Sequence, residues 1–230
     1  MTQPRTALVT GASRGIGRAL AVELARRGVA VFASGRDAAL LDQLKAETGC
    51  AGAVHDLADP AQVLALYARA KAAFGGPPEV VVNNAGFNSG KVPAIEATLE
   101  DFDLQFAVNL RAPFLLSREA GRDMVLRGSG HIVNVVSTTA LYANETVAVY
   151  SAMKAGLALF TKILAKELRS RNVKVTAVFP GGVDSDFRAA SRPDYMLPES
   201  VARVVADAIF APEDVVMHEL VFRPMVESNF

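Results

Sequence analysis

Short β-branched runs alternate along the chain with longer stretches in which apolar residues recur every three or four positions. Ala7-Leu8-Val9-Thr10 and Val29-Ala30-Val31-Phe32-Ala33 read as the first two strands. Between them Ile16, Leu20 and Leu24 line one helix face, Arg18, Glu23, Arg26 and Arg27 take the other, and Gly28 closes the helix. A second helix runs from an N-cap at Asp37 through Leu40, Leu41 and Leu44 to Gly49. A third begins at Asp59-Pro60 and presents Val63, Leu64, Tyr67 and Phe74. Thr98 with Asp101 makes a capping box for a helix through Asn109, and another helix runs from about Val147 to Ser170. Further strands are Val80–Val82, Ile132–Val136, Val173–Val178 and Leu220–Phe222. Continuous apolar strands separated by helices predict a doubly wound α/β fold, a parallel sheet of about seven strands with helices on both faces. No repeat, low-complexity tract or linker divides the chain, so residues 1–230 read as a single domain. The irregular stretch 184–198 is expected to be a lid over that domain.

Composition narrows the class. Over 230 residues, 24 Lys+Arg balance 24 Asp+Glu, and 51% of positions are hydrophobic against 21% charged. Intrinsic disorder is excluded, because low hydrophobicity and high net charge are both missing. With no net charge and a pI near 6.8, nothing points to nucleic acid or an acidic membrane surface as partner. The lone Cys50 cannot form an internal disulfide. The start lacks the apolar core of a signal peptide, and no uninterrupted apolar run approaches the roughly 18 residues of a membrane span. A cytoplasmic protein is the expectation. His55, His131 and His218 lie far apart, no Cys/His pair has zinc-ligand spacing, and a mechanism without metal is expected.

The first βα turn reads Thr10-Gly11-Ala12-Ser13-Arg14-Gly15-Ile16-Gly17. Glycines there let the backbone approach a pyrophosphate, whose charge the N–H groups of a helix start stabilise. The spacing is neither GxGxxG nor a nucleotide-triphosphate loop, and alone it can be a tight connection. Tyr150 and Lys154 stand one helical turn apart and share a face. An ammonium beside a phenol favours the phenolate, which suits proton exchange with a carbonyl oxygen near neutral pH. Ser137, at a strand end, can hold the same oxygen. Taken singly each has a plainer reading: Ser137 a local backbone partner, Asn109 a surface or kink residue, Lys154 a solvated lysine, Tyr150 a packing residue, Asp56 a turn starter.

Thr-Gly-x-x-x-Gly-x-Gly at 10–17, Asn83-Asn84-Ala85-Gly86, Ser137 and Tyr150-x-x-x-Lys154, in this order and spacing, resemble the short-chain dehydrogenase/reductase family in its ordinary form. The resemblance runs from Thr6 to about Pro224 and implies a Rossmann-type domain. It implies a catalytic tetrad of Asn109, Ser137, Tyr150 and Lys154. It assigns to a nicotinamide dinucleotide the turn residues Thr10, Gly11, Ser13, Arg14, Gly15, Ile16 and Gly17, together with Arg36. Asp56 and Leu57 would lie at the adenine, and Asn84, Ala85 and Gly86 under the cofactor and central strand. Tyr150 and Lys154 would also touch the cofactor, and Pro180, Gly181, Val183 and Ser185 the nicotinamide. Ser185 replaces the usual threonine and keeps its hydroxyl. The last strand, His218 to Pro224, departs from the family in lacking the Gly-Gly ending of many relatives.

At the family position of an NAD-selective carboxylate this chain has Gly35, followed by Arg36, with Arg14 within reach; NADP is therefore expected in preference to NAD. The plainer reading leaves both arginines in solvent and lets Asp37 meet the ribose. Phe87, Val92, Thr138, Leu141, Tyr142, Phe187, Tyr195 and Met196 are expected to form a mostly apolar substrate pocket. The function read from all this is hydride transfer between nicotinamide and a carbonyl or secondary alcohol. The alternatives are a 3-oxoacyl thioester reductase, with Arg188 and Arg192 meeting an acidic carrier, and a non-catalytic NADPH-binding regulator. A sugar-nucleotide epimerase would need a larger C-terminal domain. The apolar content of the helices near 98–125 and 147–170, with Phe102, Phe106, Leu159 and Phe160, predicts a homodimer or homotetramer.

Overall fold

The computed structural model describes residues 5–187 and 192–228. Strands β1 (Thr6–Thr10), β2 (Ala30–Gly35), β3 (Ala51–Val54), β4 (Val80–Asn83), β5 (Gly130–Val135), β6 (Val173–Pro180) and β7 (Glu219–Phe222) form one sheet. Their order is β3-β2-β1-β4-β5-β6-β7 and every pairing is parallel. This is the doubly wound Rossmann-type α/β architecture. Strand β3 is absent from the hydrophobic pattern, because Ala51-Gly52-Ala53-Val54 is a small-residue edge strand with no buried position.

Alternate residues of each strand feed opposite cores. Ala7, Val9, Val31, Ala33, Val80, Val82, Val133 and Val135 pack under helices α1 (Gly15–Arg26), α2 (Ala38–Thr48) and α7 (Pro198–Ile209). Leu8, Phe32, Val81 and Ile132 pack under α3 (Pro60–Phe74) and α5 (Ala112–Arg127), with Leu164 of α6 (Ala148–Leu168) beside them. The helix starts follow their caps. The Asp37 carboxylate accepts from Leu40 N–H at 3.1 Å, and that of Asp59 from Ala61 N–H at 2.8 Å. In α3 the buried stripe is Val63, Leu66, Tyr67 and Ala70, whereas Leu64 is 41% exposed, so the expected face was turned by part of a helical turn.

The helix capped by Thr98 does not stop at Asn109. Helix α4 (Leu99–Phe106) passes through a widened π turn, Ala107–Arg111, directly into α5. Pro113 explains the widening: it has no N–H for the Asn109 carbonyl, and in a regular α-helix its ring would strike that carbonyl. Thr98 Oγ1 accepts from Asp101 N–H, but the Asp101 carboxylate takes the Gln105 amide at 2.7 Å, so only half of the capping box forms. Ala148–Arg171 is long and apolar enough, by length and composition, to cross a membrane, with mean hydropathy 1.3 over 18 residues. In this fold it packs on β6 and carries Tyr150 and Lys154.

Candidate active site

The carboxyl ends of β1, β2, β4, β5 and β6 open onto one cleft of about 1480 Å³, at the point where strand order reverses between β1 and β4. That volume exceeds the roughly 300–1,000 Å³ of most small-molecule pockets and suits a dinucleotide with a substrate beside it.

On one side the glycine turn is held by β4. Thr10 Oγ1 donates to the Val82 carbonyl at 3.3 Å and accepts from Asn84 and Ala85 N–H at 3.1 Å each. Asn84 Nδ2 donates to the carbonyls of Thr10 and Gly11. Gly11 has φ +65°, and a Cβ there would lie 2.8 Å from Ala85 Cα; one on Gly17 would collide with the Gly11 carbonyl and the Asn84 amide. The two glycines therefore let the turn close on Asn84-Ala85. Helix α1 then starts without a side-chain cap at Arg14 and without an acid in its first turn. Its positive end is available to an anion. Gly11, Ser13, Arg14, Gly15 and Ile16 line the cleft, while Thr10 and Gly17 stand behind it as supports.

At the end of β2, Gly35 is buried against Ser13, and a Cβ would come within 2.8 Å of the Ser13 Cβ. Arg36 and Arg14 are both exposed and both line the cleft. Asp37 is not among the lining residues: one oxygen caps α2 and the other lies 4.0 Å from Arg14. Asp56 and Leu57 line the far end, where the Asp56 carboxylate accepts from Ala58 N–H and so does also start a turn.

On the opposite wall stand Ser137, Tyr150 and Lys154. Ser137 Oγ accepts from Thr139 N–H at 3.2 Å and from Thr139 Oγ1 at 3.1 Å. Tyr150 packs its ring at a tilt on Phe187, centroids 6.1 Å apart. Lys154 is 2% exposed, its Nζ donates to the Val135 carbonyl at 2.9 Å, and it lies 5.8 Å from the Tyr150 ring centroid. Burial pulls its ammonium down from 10.5 to about 8. Asn109 is fully buried behind the wall rather than lining it. Its Oδ1 accepts from Phe87 N–H at 3.0 Å and its Nδ2 donates to the Phe87 carbonyl at 2.7 Å. Gly86 sits between the two, where a Cβ would be 3.3 Å from Asn109 Oδ1 and 3.6 Å from Lys154 Nζ. Pro180, Gly181, Val183 and Ser185 complete the rim.

The end expected to take substrate is more polar than its sequence suggested. Phe87, Thr138, Phe187 and Tyr195 line it, but Val92, Leu141, Tyr142 and Met196 do not. Met196 packs against the core instead. In their place stand Ser89, Asn144, Arg192, and two residues of the C-terminal segment, Arg223 and Glu227. Glu227 Oε1 accepts from Gly182 N–H at 3.0 Å, and Arg223 stacks on Tyr142 at 4.2 Å. The paired glycines at 181–182 are the sequence signal for this contact: side chains there would strike Glu227, Arg223 and Tyr195. Of the expected lid at 184–198, residues 188–191 lie outside the described residues; at its two ends Asp184 N–H donates to the Met196 carbonyl and Arg192 N–H to the Asp184 carboxylate. Its last residue already starts α7, and Arg188 lies outside the described residues. Among the described residues no group of three or more His, Cys, Asp or Glu could hold a metal ion. Of the histidines, His55 lines the cleft, His131 is buried and His218 is exposed.

Comparison with known proteins agrees with this geometry. A family model described as short chain dehydrogenase matches residues 5–196. A short-chain type dehydrogenase/reductase of Picea abies is 35% identical, covering 92% of this chain and 82% of its own. An NADPH-dependent aldehyde reductase-like chloroplastic protein of Arabidopsis thaliana is 31% identical over 90% of this chain and 81% of its own. The solved structure of a metagenomic short-chain oxidoreductase in complex with NADP superposes with a TM-score of 0.83, at 33% identity, over 96% of this chain and 98% of that one. With a family model matching residues 5–196 and a relative 35% identical over 92% of the chain, the chain belongs to the short-chain dehydrogenase/reductase family of oxidoreductases.

Proposed function

We propose that the chain is an NADP-dependent oxidoreductase that moves a hydride between nicotinamide and a carbonyl or secondary alcohol. The observation that carries this reading is one continuous cleft that holds the uncapped start of α1 on one wall and Ser137, Tyr150 and Lys154 on the opposite one. The residues present fit a dinucleotide: the Gly11 and Gly17 contacts leave no room for side chains, and no carboxylate competes in the first turn of α1. When bound, the cofactor supplies or receives the hydride.

The chain's own residues hold the reacting oxygen and handle its proton. A serine hydroxyl has one hydrogen and two lone pairs. The Thr139 N–H takes one lone pair of Ser137 Oγ, which leaves the serine hydrogen for donation to the substrate oxygen. Tyr150 gives the proton to that oxygen in reduction and takes it from the alcohol in oxidation. Lys154, anchored on the Val135 carbonyl, brings an ammonium to the face of the Tyr150 ring. Asn109 keeps the Phe87 backbone, and with it the Gly86 wall, in place.

NADP is favoured over NAD by Arg36 and Arg14 at the cleft and by the absence of a carboxylate at Gly35. The metagenomic relative's complex with NADP supports an NADP-type cofactor here. Self-association is also proposed. Phe102, Phe106, Phe114, Leu159 and Ile163 leave an apolar face of α4, α5 and α6 exposed, although Phe160 is partly tucked against Phe114. The test is a panel of carbonyls and alcohols, including a 3-oxoacyl thioester, followed by NADPH absorbance. Tyr150→Phe should lower turnover on the accepted substrate about 10²–10⁴-fold while leaving NADPH binding intact. A variant that kept more than about a tenth of the activity, a barrier change under 1.4 kcal/mol, would remove Tyr150 as proton donor.

A further inference from the structure

We propose that Arg111 is a positioning residue for the adenine half of the dinucleotide, holding the Asp56–Ala58 wall of the cleft from the π turn that also carries Asn109. The inference rests on the cofactor reading above. Asp56 and Leu57 line the end of the cleft that lies across the glycine turn from Tyr150. They follow β3, a four-residue edge strand with no buried position; the His55 N–H on the Gly35 carbonyl and the buried Leu57 side chain fix the start of this wall, while the Asp56–Asp59 backbone beyond β3 has no ladder partner in the sheet. The hydrogen bonds of the turn are local: Asp56 N–H to Gln62 Oε1 at 2.9 Å, Ala58 N–H to Asp56 Oδ1 at 2.9 Å, and Asp59 N–H to the Asp56 carbonyl at 3.3 Å.

The exception is Arg111. Its Nη2 donates to the Ala58 carbonyl at 2.5 Å, across 53 residues of sequence, and this is the one long-range hydrogen bond made by residues 56–59 among the described residues. The guanidinium also lies over the Phe106 ring, 5.9 Å from its centroid, a second contact that restrains it. Arg111 does not itself line the cleft, so it acts through the loop and not on the ligand. The widened turn makes the arrangement possible. Within Ala107–Arg111, Asn109 reaches the Phe87 backbone on the substrate side while Arg111, two residues on, reaches Ala58 on the adenine side. A π turn changes the angle between successive side chains, and such turns are frequent at functional sites. One helical irregularity thus grips both ends of the cleft.

The experiment separates the two halves of the cofactor. Wild type, Arg111→Ala and Arg111→Lys are titrated by calorimetry with the adenosine bisphosphate that forms the adenine half of NADP, and by fluorescence with reduced nicotinamide mononucleotide. Loss of a charged donor on a wall-forming carbonyl should weaken the adenine half on the order of tenfold in Arg111→Ala. Arg111→Lys, which keeps a cationic donor, should restore part of it, and the mononucleotide should bind all three chains alike. Equal affinity of wild type and Arg111→Ala for the adenine half, or an equal loss for both halves, would overturn the proposal. A wild-type chain that bound neither half would overturn the cofactor reading and the inference with it.

Discussion

Replacing Lys154 with Met should make the cofactor-free fold more stable while ending its turnover. The ammonium is 2% exposed, and burial lowers its pKa from 10.5 to about 8. One pKa unit corresponds to about 1.4 kcal/mol, so keeping the charge inside costs the fold on the order of 3 kcal/mol near neutral pH. Methionine fills nearly the same volume without charge, and loses the bond to the Val135 carbonyl, a cost of about 1–2 kcal/mol. A net gain of about 1–2 kcal/mol remains. The pH dependence identifies its source. The folded pKa lies below the unfolded one, so between them the unfolded chain keeps a proton that the folded chain has released. The penalty is full below the folded value of about 8 and fades as pH rises toward 10.5. Between pH 7 and about pH 9.5 wild type should therefore gain about 2 kcal/mol relative to Lys154→Met, other titrations cancelling in the difference. Urea unfolding of both chains at the two pH values measures this. A variant less stable than wild type near neutral pH, or parallel stability curves for the two chains, would refute the reasoning that the ammonium is held at a cost.

Arg36→Ala should weaken NADPH by more than tenfold and leave NADH nearly unchanged, since a bond to a charged partner contributes about 1.5–3 kcal/mol; equal wild-type affinities for the two cofactors would contradict it. His131 is buried with Nε2 on Thr176 Oγ1, and burial, with the Lys174 charge second, lowers its pKa from 6.5 to about 3. Below the unfolded value the unfolded chain gains a proton that the folded chain refuses, so about 2 kcal/mol of stability should be lost between pH 7 and pH 5, and His131→Gln should lose less in acid unfolding curves. Sedimentation at micromolar concentration should find a dimer or tetramer through the face bearing Phe102 and Leu159, and a charged residue at Leu159, which is 61% exposed, should shift it toward monomer. A monomeric wild type would leave that face unexplained.

The strands and helices were readable wherever a local period or cap governs them. Asp37 and Thr98 cap the helices at which their side chains were expected, and Asp59 caps the helix expected to begin at Asp59-Pro60, because an N-cap bond closes within three residues. The alternation that sends Val9 to one core and Leu8 to the other is equally local. The pattern was blind where burial is decided by neighbours far along the chain. Alanine and glycine in β3 carry no signature of their pairing with β2, and Leu64 could not be told from Leu66 without the position of α5.

The same division runs through the cleft. The spacing of Tyr150 and Lys154 on one helix, and the glycines of the first turn, are properties of short segments and stand in the sequence by themselves. That Lys154 anchors on the Val135 carbonyl, that Asn109 grips Phe87, and that Arg111 reaches Ala58 follow from how the strands and helices are stacked. So does the placing of Arg223 and Glu227 beside Gly182, 41 and 45 residues away, against a substrate end expected to be apolar. A local pattern sets which groups share a face, because backbone geometry repeats every few residues. Which distant carbonyl, amide or ring completes each group's hydrogen bonds is set only when the sheet order brings the loops together, and that decision belongs to the tertiary structure.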